Sequence, residues 1–280
     1  MSNVKITDTV IVDQIADGVN FHRGVTDSSV TNSFIRNTGD DALAMWSEST
    51  SNARNTFARN TVQTPSLANG IAVYGGTDIT IVGNLVADPV REGSGIHLGA
   101  RFGAEAFAGV IDIADNTVVR AGTYELNWNI GLGAIWMMAL DRSIAADIRV
   151  RGDHILDSTY NALMLVSDWP VKDLYSISGV AFSDLRIDGT GTSVLSARAA
   201  GSASFQNVDA RNVGAVGVNN CGSFNFPPTG SEFSIADLGG NDGGGTTGPW
   251  LAAWELPNTI TCDDRPPVVA PPAPSPWVQP

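Results

Sequence analysis

The stretch VTNSFIRNTGDDALAMWS, residues 30–47, holds the organisation of this chain in miniature. An apolar residue and Asn32 lead into another apolar-rich stretch, and the small–apolar pair Ala42-Leu43 follows about ten residues on. Working outward, the Asn or Asp of this pattern recurs at Asp8, Asn32, Asn60, Asn84, Asn116, Asp153, Asp184, Asn207 and Asp237, at spacings of 24, 28, 24, 32, 37, 31, 23 and 30 residues. A short basic unit carrying insertions of variable length is the pattern of a solenoid. A second ladder trails the first: Gly18-Val19, Ala42-Leu43, Gly70-Ile71, Gly95-Ile96, Ala134-Ile135, Ala162-Leu163, Ser193-Val194 and Ala215-Val216.

Between these positions the apolar residues alternate at period two, as in Ile79 and Ile81, Ile111 and Ile113, or Ile148 and Val150, and then turn at Gly, Asn or Asp. That is strand periodicity. The expected fold is therefore all-β: a right-handed parallel β-helix of about eight to nine coils, its strands stacked about 4.8 Å apart and its Asn/Asp column bonding from coil to coil. An antiparallel sandwich or barrel is the competing fold, and no hairpin dipeptide recurs between the repeats to support it.

Composition agrees. The 280 residues are 43% hydrophobic with 30 glycines, which suits short strands and turns gathered around one core. Sixteen Lys and Arg against 29 Asp and Glu leave a net charge of −13, so nucleic acid and anionic membranes are excluded as partners. A neutral substrate is expected. Cys221 and Cys262 allow a single disulfide and match no zinc spacing, and no phosphate loop or metal motif appears, so no cofactor is expected. Residues 1–264 are assigned to the β-helix. Residues 265–280, RPPVVAPPAPSPWVQP, are assigned to a proline-rich tail or linker.

With Val19, Leu43, Ile71, Ile96 and Ile135 inward, alternation sends Asn20, His22, Trp46, Tyr74, His97 and Trp136 to one outer face. Aromatic rings beside polar groups suit a sugar chain, whose apolar ring faces stack while its hydroxyls take hydrogen bonds. The alternative is that insertion loops cover these rings as core. Insertions at 88–109 and 121–131 are placed to wall a cleft and to deliver Arg101 and Trp128. Asp17 precedes the second ladder in one coil, and Asp40 and Asp41 precede it in the next. Three carboxyls at one strand end raise at least one pKa by mutual repulsion, which separates an acid from a base. Strict alternation would turn Asp17 and Asp41 inward, so a break of parity at Ala16 and Gly39 is expected.

At these residues the sequence resembles glycoside hydrolase family 87, the bacterial endo-1,3-α-glucanases and mycodextranases. The resembling segments are ADGVNFH at 16–22, residues 30–47, NTVQTPSLANGIAVYGG at 60–76 and GSGIHLGARF at 93–102. The resemblance implies a secreted, inverting hydrolase of α-glucan that acts through Asp17, Asp40 and Asp41, with Asp40 or Asp41 as general acid. No signal peptide is visible in the chain, and a monomer is expected. In the family, further coils and modules commonly precede the catalytic helix. Here only 16 residues precede Asp17, so a fragment and a natural short form both stay open. Polygalacturonases share the Asp-then-GDD spacing, but their GHG and RIK motifs are absent. A carbohydrate-binding β-helix without catalysis remains the other class.

Overall fold

One residue per corner sets the path of the chain. Asp8, Asn32, Arg59, Asp115, Asp184 and Asn207 adopt left-handed backbone with φ between 50 and 55°, and Gly83 and Gly152 join them at 64 and 67°. Each donates its N–H to a carbonyl one coil on, as Asp8 does to Thr31 at 3.2 Å and Asn32 to Ala58 at 3.1 Å. A single left-handed residue redirects a strand at once, and Asn, Asp and Gly adopt that conformation most easily.

The computed structural model describes residues 1–127, 130–167, 175–214, 216–219 and 233–242. Three parallel sheets run its length, with nine, eight and eight strands. The first starts at Lys5–Thr7, the second at Val10–Val12 and the third at Val19–His22, so each coil contributes one strand to each sheet in turn. An antiparallel pair, Tyr124–Glu125 with Ile130–Gly131, is inserted in the fifth coil.

Identical positions stack. Val30, Phe57, Ile81, Ile113, Val150, Phe182 and Phe205 form one inward column. Ile35, Val62, Val86, Val118, Ile155 and Ile187 form the second. Leu43, Ile71, Ile96, Ile135, Leu163 and Leu195 form the third. All are at most 2% exposed. Burial at about 25 cal/mol per Å² makes these columns the main stabilising term.

The expected Asn/Asp column proves to be two columns, one residue apart. Asp8, Asn32, Asp184 and Asn207 are the exposed left-handed corner residues, whereas Ser33, Asn60, Asn84, Asn116 and Asp153 follow the corner and are buried. The buried set makes a ladder. The backbone N and Nδ2 of Asn60 both donate to Asn84 Oδ1 (2.9 and 3.0 Å), those of Asn84 to Asn116 Oδ1 (2.9 and 2.9 Å), and those of Asn116 to Asp153 Oδ1 (2.7 and 2.8 Å). Leu185 and Val208, also buried, continue the column without polar groups, and Asp237 lies within the last strand. The second ladder holds its expected register through Ala162-Leu163. It then moves to Val194-Leu195 and Gly217-Val218, because Leu195 and Val218 are the residues that stack beneath Leu163. Cys221, Cys262, Trp128 and the proline-rich segment lie outside the described residues.

Asp153 is fully buried, and burial lifts its carboxyl to about 7 against the pull of the Asn116 hydrogen bonds. Because the folded value lies above the unfolded one, stability falls as pH rises from about 4 towards that value and stays lower above it. Asp153→Asn, which restores the amide of the rest of the ladder, should flatten this decline. Thermal unfolding should show a raised Tm at pH 8 and little change at pH 4.

Candidate active site

The corner between the second and third sheets gathers the acidic residues. Asp17, Asp41, Asn69 and Ser94 stand two residues before the stacked Val19, Leu43, Ile71 and Ile96, in one row running coil over coil. Gly18 N donates to Asp41 O at 3.1 Å, and Ala16 O accepts Gly39 N at 3.2 Å and Asp40 N at 3.3 Å. A Cβ on Gly39 would meet Ile15 O at 2.2 Å, so only glycine allows the two coils to approach here.

The expected break of parity does not occur at Asp41. Its side chain is buried, at 4% exposure, in the row continued by Asn69 and Ser94, while Asp40 is the exposed one. Hydrogen bonds make this burial tolerable. Asp41 Oδ1 accepts the N and Nδ2 of Asn69, both at 2.8 Å, and Oδ2 accepts the Tyr74 hydroxyl at 2.9 Å. Burial still dominates and lifts the Asp41 carboxyl to about 7. Asp17 is raised as well, first by burial and then by the Asp40 charge, against hydrogen bonds from Asn20 and the Asp41 backbone. Asn20 Nδ2 donates to Asp17 Oδ2 at 2.7 Å, and Asp40 Oδ1 caps the Asp41 N–H at 2.9 Å.

One oxygen from each of Asp17, Asp40 and Asp41 lies within 4.8 Å of the others. Two oxygens that far apart can each reach one water at about 2.8 Å. They are closer than the separation of about 6.5–9.5 Å usual for an inverting acid–base pair. The three carboxylates border a groove of about 320 Å³ together with Asn20, Trp46, Ala68, Tyr74, Arg101 and Phe102.

The outer face carries two rows rather than one. Asn20, Ala44, Ala72, His97 and Trp136 share the first, and His22, Trp46, Tyr74, Gly99 and Met138 the second. Trp46 is half-buried, stacks on His22 (4.5 Å, 12°) and donates Nε1 to Phe102 O at 3.2 Å. His22 itself is bonded to Glu48 at 2.8 Å and is not among the groove's lining residues. The segment after Ala100 folds back over the face: Glu105 N donates to Ser47 O at 2.9 Å, and Ala104 bridges Glu48. It delivers Arg101, whose guanidinium lies 4.4 Å from the Phe102 ring and 5.6 Å from that of Tyr74.

Two of the residues expected to touch substrate are covered. His97 is 0% and Trp136 2% exposed, their rings stacked at 4.0 Å. Trp136 belongs to an outer apolar cluster with Ile130, Leu132, Met138, Met164 and Val166, formed where the fifth-coil insertion lies over the sheet. His97 Nδ1 donates to the Trp136 carbonyl at 3.1 Å, and burial holds its pKa well below the usual histidine value, so the imidazole is neutral. Tyr74, also buried, spends its hydroxyl on Asp41. Gly99 keeps the second row bare between Tyr74 and Met138, because a Cβ there would meet His97 Nε2 at 2.7 Å and the Tyr74 ring at 3.0 Å. Asn69 and Phe102 were not anticipated. The second ladder could have flagged Asn69, which holds the Asp41 position one coil on, whereas Phe102 follows the end of the periodic segment and leaves no such signal.

A family model described as alpha-1,3-glucanase catalytic domain D2 matches residues 1–234. The chain belongs to this family. The GH87 α-1,3-glucanase catalytic unit from Streptomyces thermodiastaticus strain HF3-3 is similar to this chain at 36% identity and a TM-score of 0.81, over 92% of this chain and 47% of that one. GH87 α-1,3-glucanase catalytic domains solved with tetrasaccharides (22% identity, TM-score 0.73) and with nigerose (23%, 0.68) each align over 85% of this chain and 45% of theirs. The chain thus spans about half the length of these solved relatives. No curated protein matches it.

Tyr74→Phe removes the hydroxyl that donates to Asp41 Oδ2. Stability should fall by about 1–3 kcal/mol, and by more at pH 8 than at pH 5, because an ionised carboxylate needs the donor more than a protonated one does. Thermal unfolding at the two pH values checks this.

Proposed function

We propose that the domain hydrolyses α-1,3-glucosidic bonds of α-glucan outside the cell, with inversion, through Asp17, Asp40 and Asp41. The observation that carries this reading is the trio of carboxyl oxygens within 4.8 Å on a groove walled by Trp46 and Phe102, in a chain of the glucanase D2 family. The similar structures add support. Aspartates replaced singly by alanine in the oligosaccharide complexes stand 23 and 1 residues apart, as do Asp17, Asp40 and Asp41.

Asp40 is the exposed carboxyl and protonates the departing glycosidic oxygen. Asp17 and Asp41 hold one water between them, direct it at the anomeric carbon from the opposite face and take its proton. Two carboxylates sharing one water account for the short separation. A base is most effective with a pKa near working pH, and burial moves Asp41 in that direction. Trp46 and Phe102 stack against sugar rings, and Asn20 and Arg101 reach hydroxyls.

Purified protein incubated with insoluble α-1,3-glucan, nigeran, dextran and polygalacturonate should release reducing ends from α-1,3-glucan, and NMR should show the β-anomer first. Asn in place of Asp17, Asp40 or Asp41 should lower kcat about a hundredfold or more while the protein stays folded. Glucan binding without turnover in the parent would instead make this a binding module, and cleavage of nigeran alone would move it to the mycodextranases. Below the raised Asp41 value the base is protonated, so kcat/KM should fall with acid along a limb well above the ordinary carboxylate range of about 4. A pH–rate profile reads it.

A further inference from the structure

Asn69 commits every polar atom of its side chain. Its Nδ2 and backbone N both donate to Asp41 Oδ1 at 2.8 Å, and its Oδ1 accepts Ser94 N at 3.0 Å and Ser94 Oγ at 2.9 Å. The Ser94 backbone N–H can only donate to that oxygen, so the amide can sit one way round. Asn69 is 0% exposed, which leaves water no access to replace it. The same doubled donation links Asn60 to Asn84, Asn84 to Asn116 and Asn116 to Asp153 at the opposite corner. In that ladder the device joins coil to coil inside the core. At Asn69 it ends on a carboxylate that borders the groove.

We infer that Asn69, held by Ser94, is a positioning residue for the hydrolysis: it fixes the rotamer of the Asp41 carboxylate and favours its ionised form, so that Asp41 can take a proton from water. This rests on the hydrolase reading above. Fixing Oδ1 from the neighbouring coil leaves Oδ2 as the oxygen that meets Tyr74. The charged and titratable groups facing Asp41 are Asp17 in the first coil, Asp40 beside it and Tyr74 in the third, with Arg101 against the far side of Tyr74 and the neutral His97 against its ring. Among them only Tyr74 donates to Asp41 through its side chain, so Asn69 supplies two of the three hydrogen bonds on the carboxylate.

The test compares Asn69→Ala and Ser94→Ala with Asn161→Ala. Asn161 stands in the same row in the sixth coil, equally buried, with Nδ2 on Gly131 O at 3.1 Å and Oδ1 accepting Thr192 Oγ1 at 2.9 Å and Ser193 Oγ at 2.6 Å. All three variants should lose thermal stability. Only the first two should move the acid limb of kcat/KM upward, by about one pH unit for Asn69→Ala and less for Ser94→Ala, with at least a tenfold fall in kcat for Asn69→Ala. Equal activity losses with no movement of the limb in any variant would overturn the inference. Should Asn69→Ala fail to fold, Ser94→Ala carries the comparison. An inactive parent would overturn the hydrolase reading instead. The carboxyl ¹³C titration of Asp41, followed by NMR in parent and Ser94→Ala, then decides: an upward shift supports the positioning role, and an unmoved titration overturns it.

Discussion

A polar side chain buried between two coils finds most of its partners one coil above or below it. Everything else in this molecule depends on that constraint. The apolar columns supply the larger energy, but they are permissive: Val, Ile and Phe replace one another along the first, Ile and Val along the second, and Leu and Ile along the third. Asn84 is not permissive, since it must find the Asn116 oxygen, the Asn60 donors and the Phe57 carbonyl at once. A slip of one residue would leave each of these unpaired in a dry interior, at about 1–3 kcal/mol apiece. The ladders therefore fix register, and register carries Asp17 over Asp41.

The same constraint explains what could be read from the sequence. Stacking repeats a residue type at a fixed phase, so the coils were legible from Asn60, Asn84 and Asn116 and from the pairs ending in Leu43, Ile71 and Ile96. The error of one residue at Asp8, Asn32, Asp184 and Asn207 arose because Asn and Asp serve two purposes here. Their short side chains suit both the left-handed corner and the buried ladder beside it, and composition alone does not separate the two. The shift to Leu195 was equally hidden, because Val194 and Leu195 are both apolar and only the column above chooses between them.

At the candidate site, the clustering of Asp17, Asp40 and Asp41 followed from phase alone and is present in the structure. The orientation of Asp41 did not follow. A charged residue at an inward position suggested a broken alternation, whereas the chain keeps the alternation and surrounds the carboxylate with Asn69 and Tyr74. Trp136 and His97 were placed on the correct face, yet period two says nothing about what lies over a face. That depends on insertions whose course is set by tertiary contacts. Arg101 reaches the groove through such an insertion, and so does Phe102.

The segment beyond Ala100 has a consequence for cooperativity. In a solenoid each coil normally feels only its immediate neighbours, so terminal coils fray independently of the middle. Here Phe102 O, Ala104 and Glu105 N reach past the third coil to Trp46, Glu48 and Ser47 in the second, and Gly103 N is held at 2.9 Å by Asp141 of the fifth. Coils two to five are thereby clasped into a single unit of opening. Asp40 and Asp41, in the second coil, then belong, for hydrogen exchange and local unfolding, to that unit rather than to a fraying terminal coil.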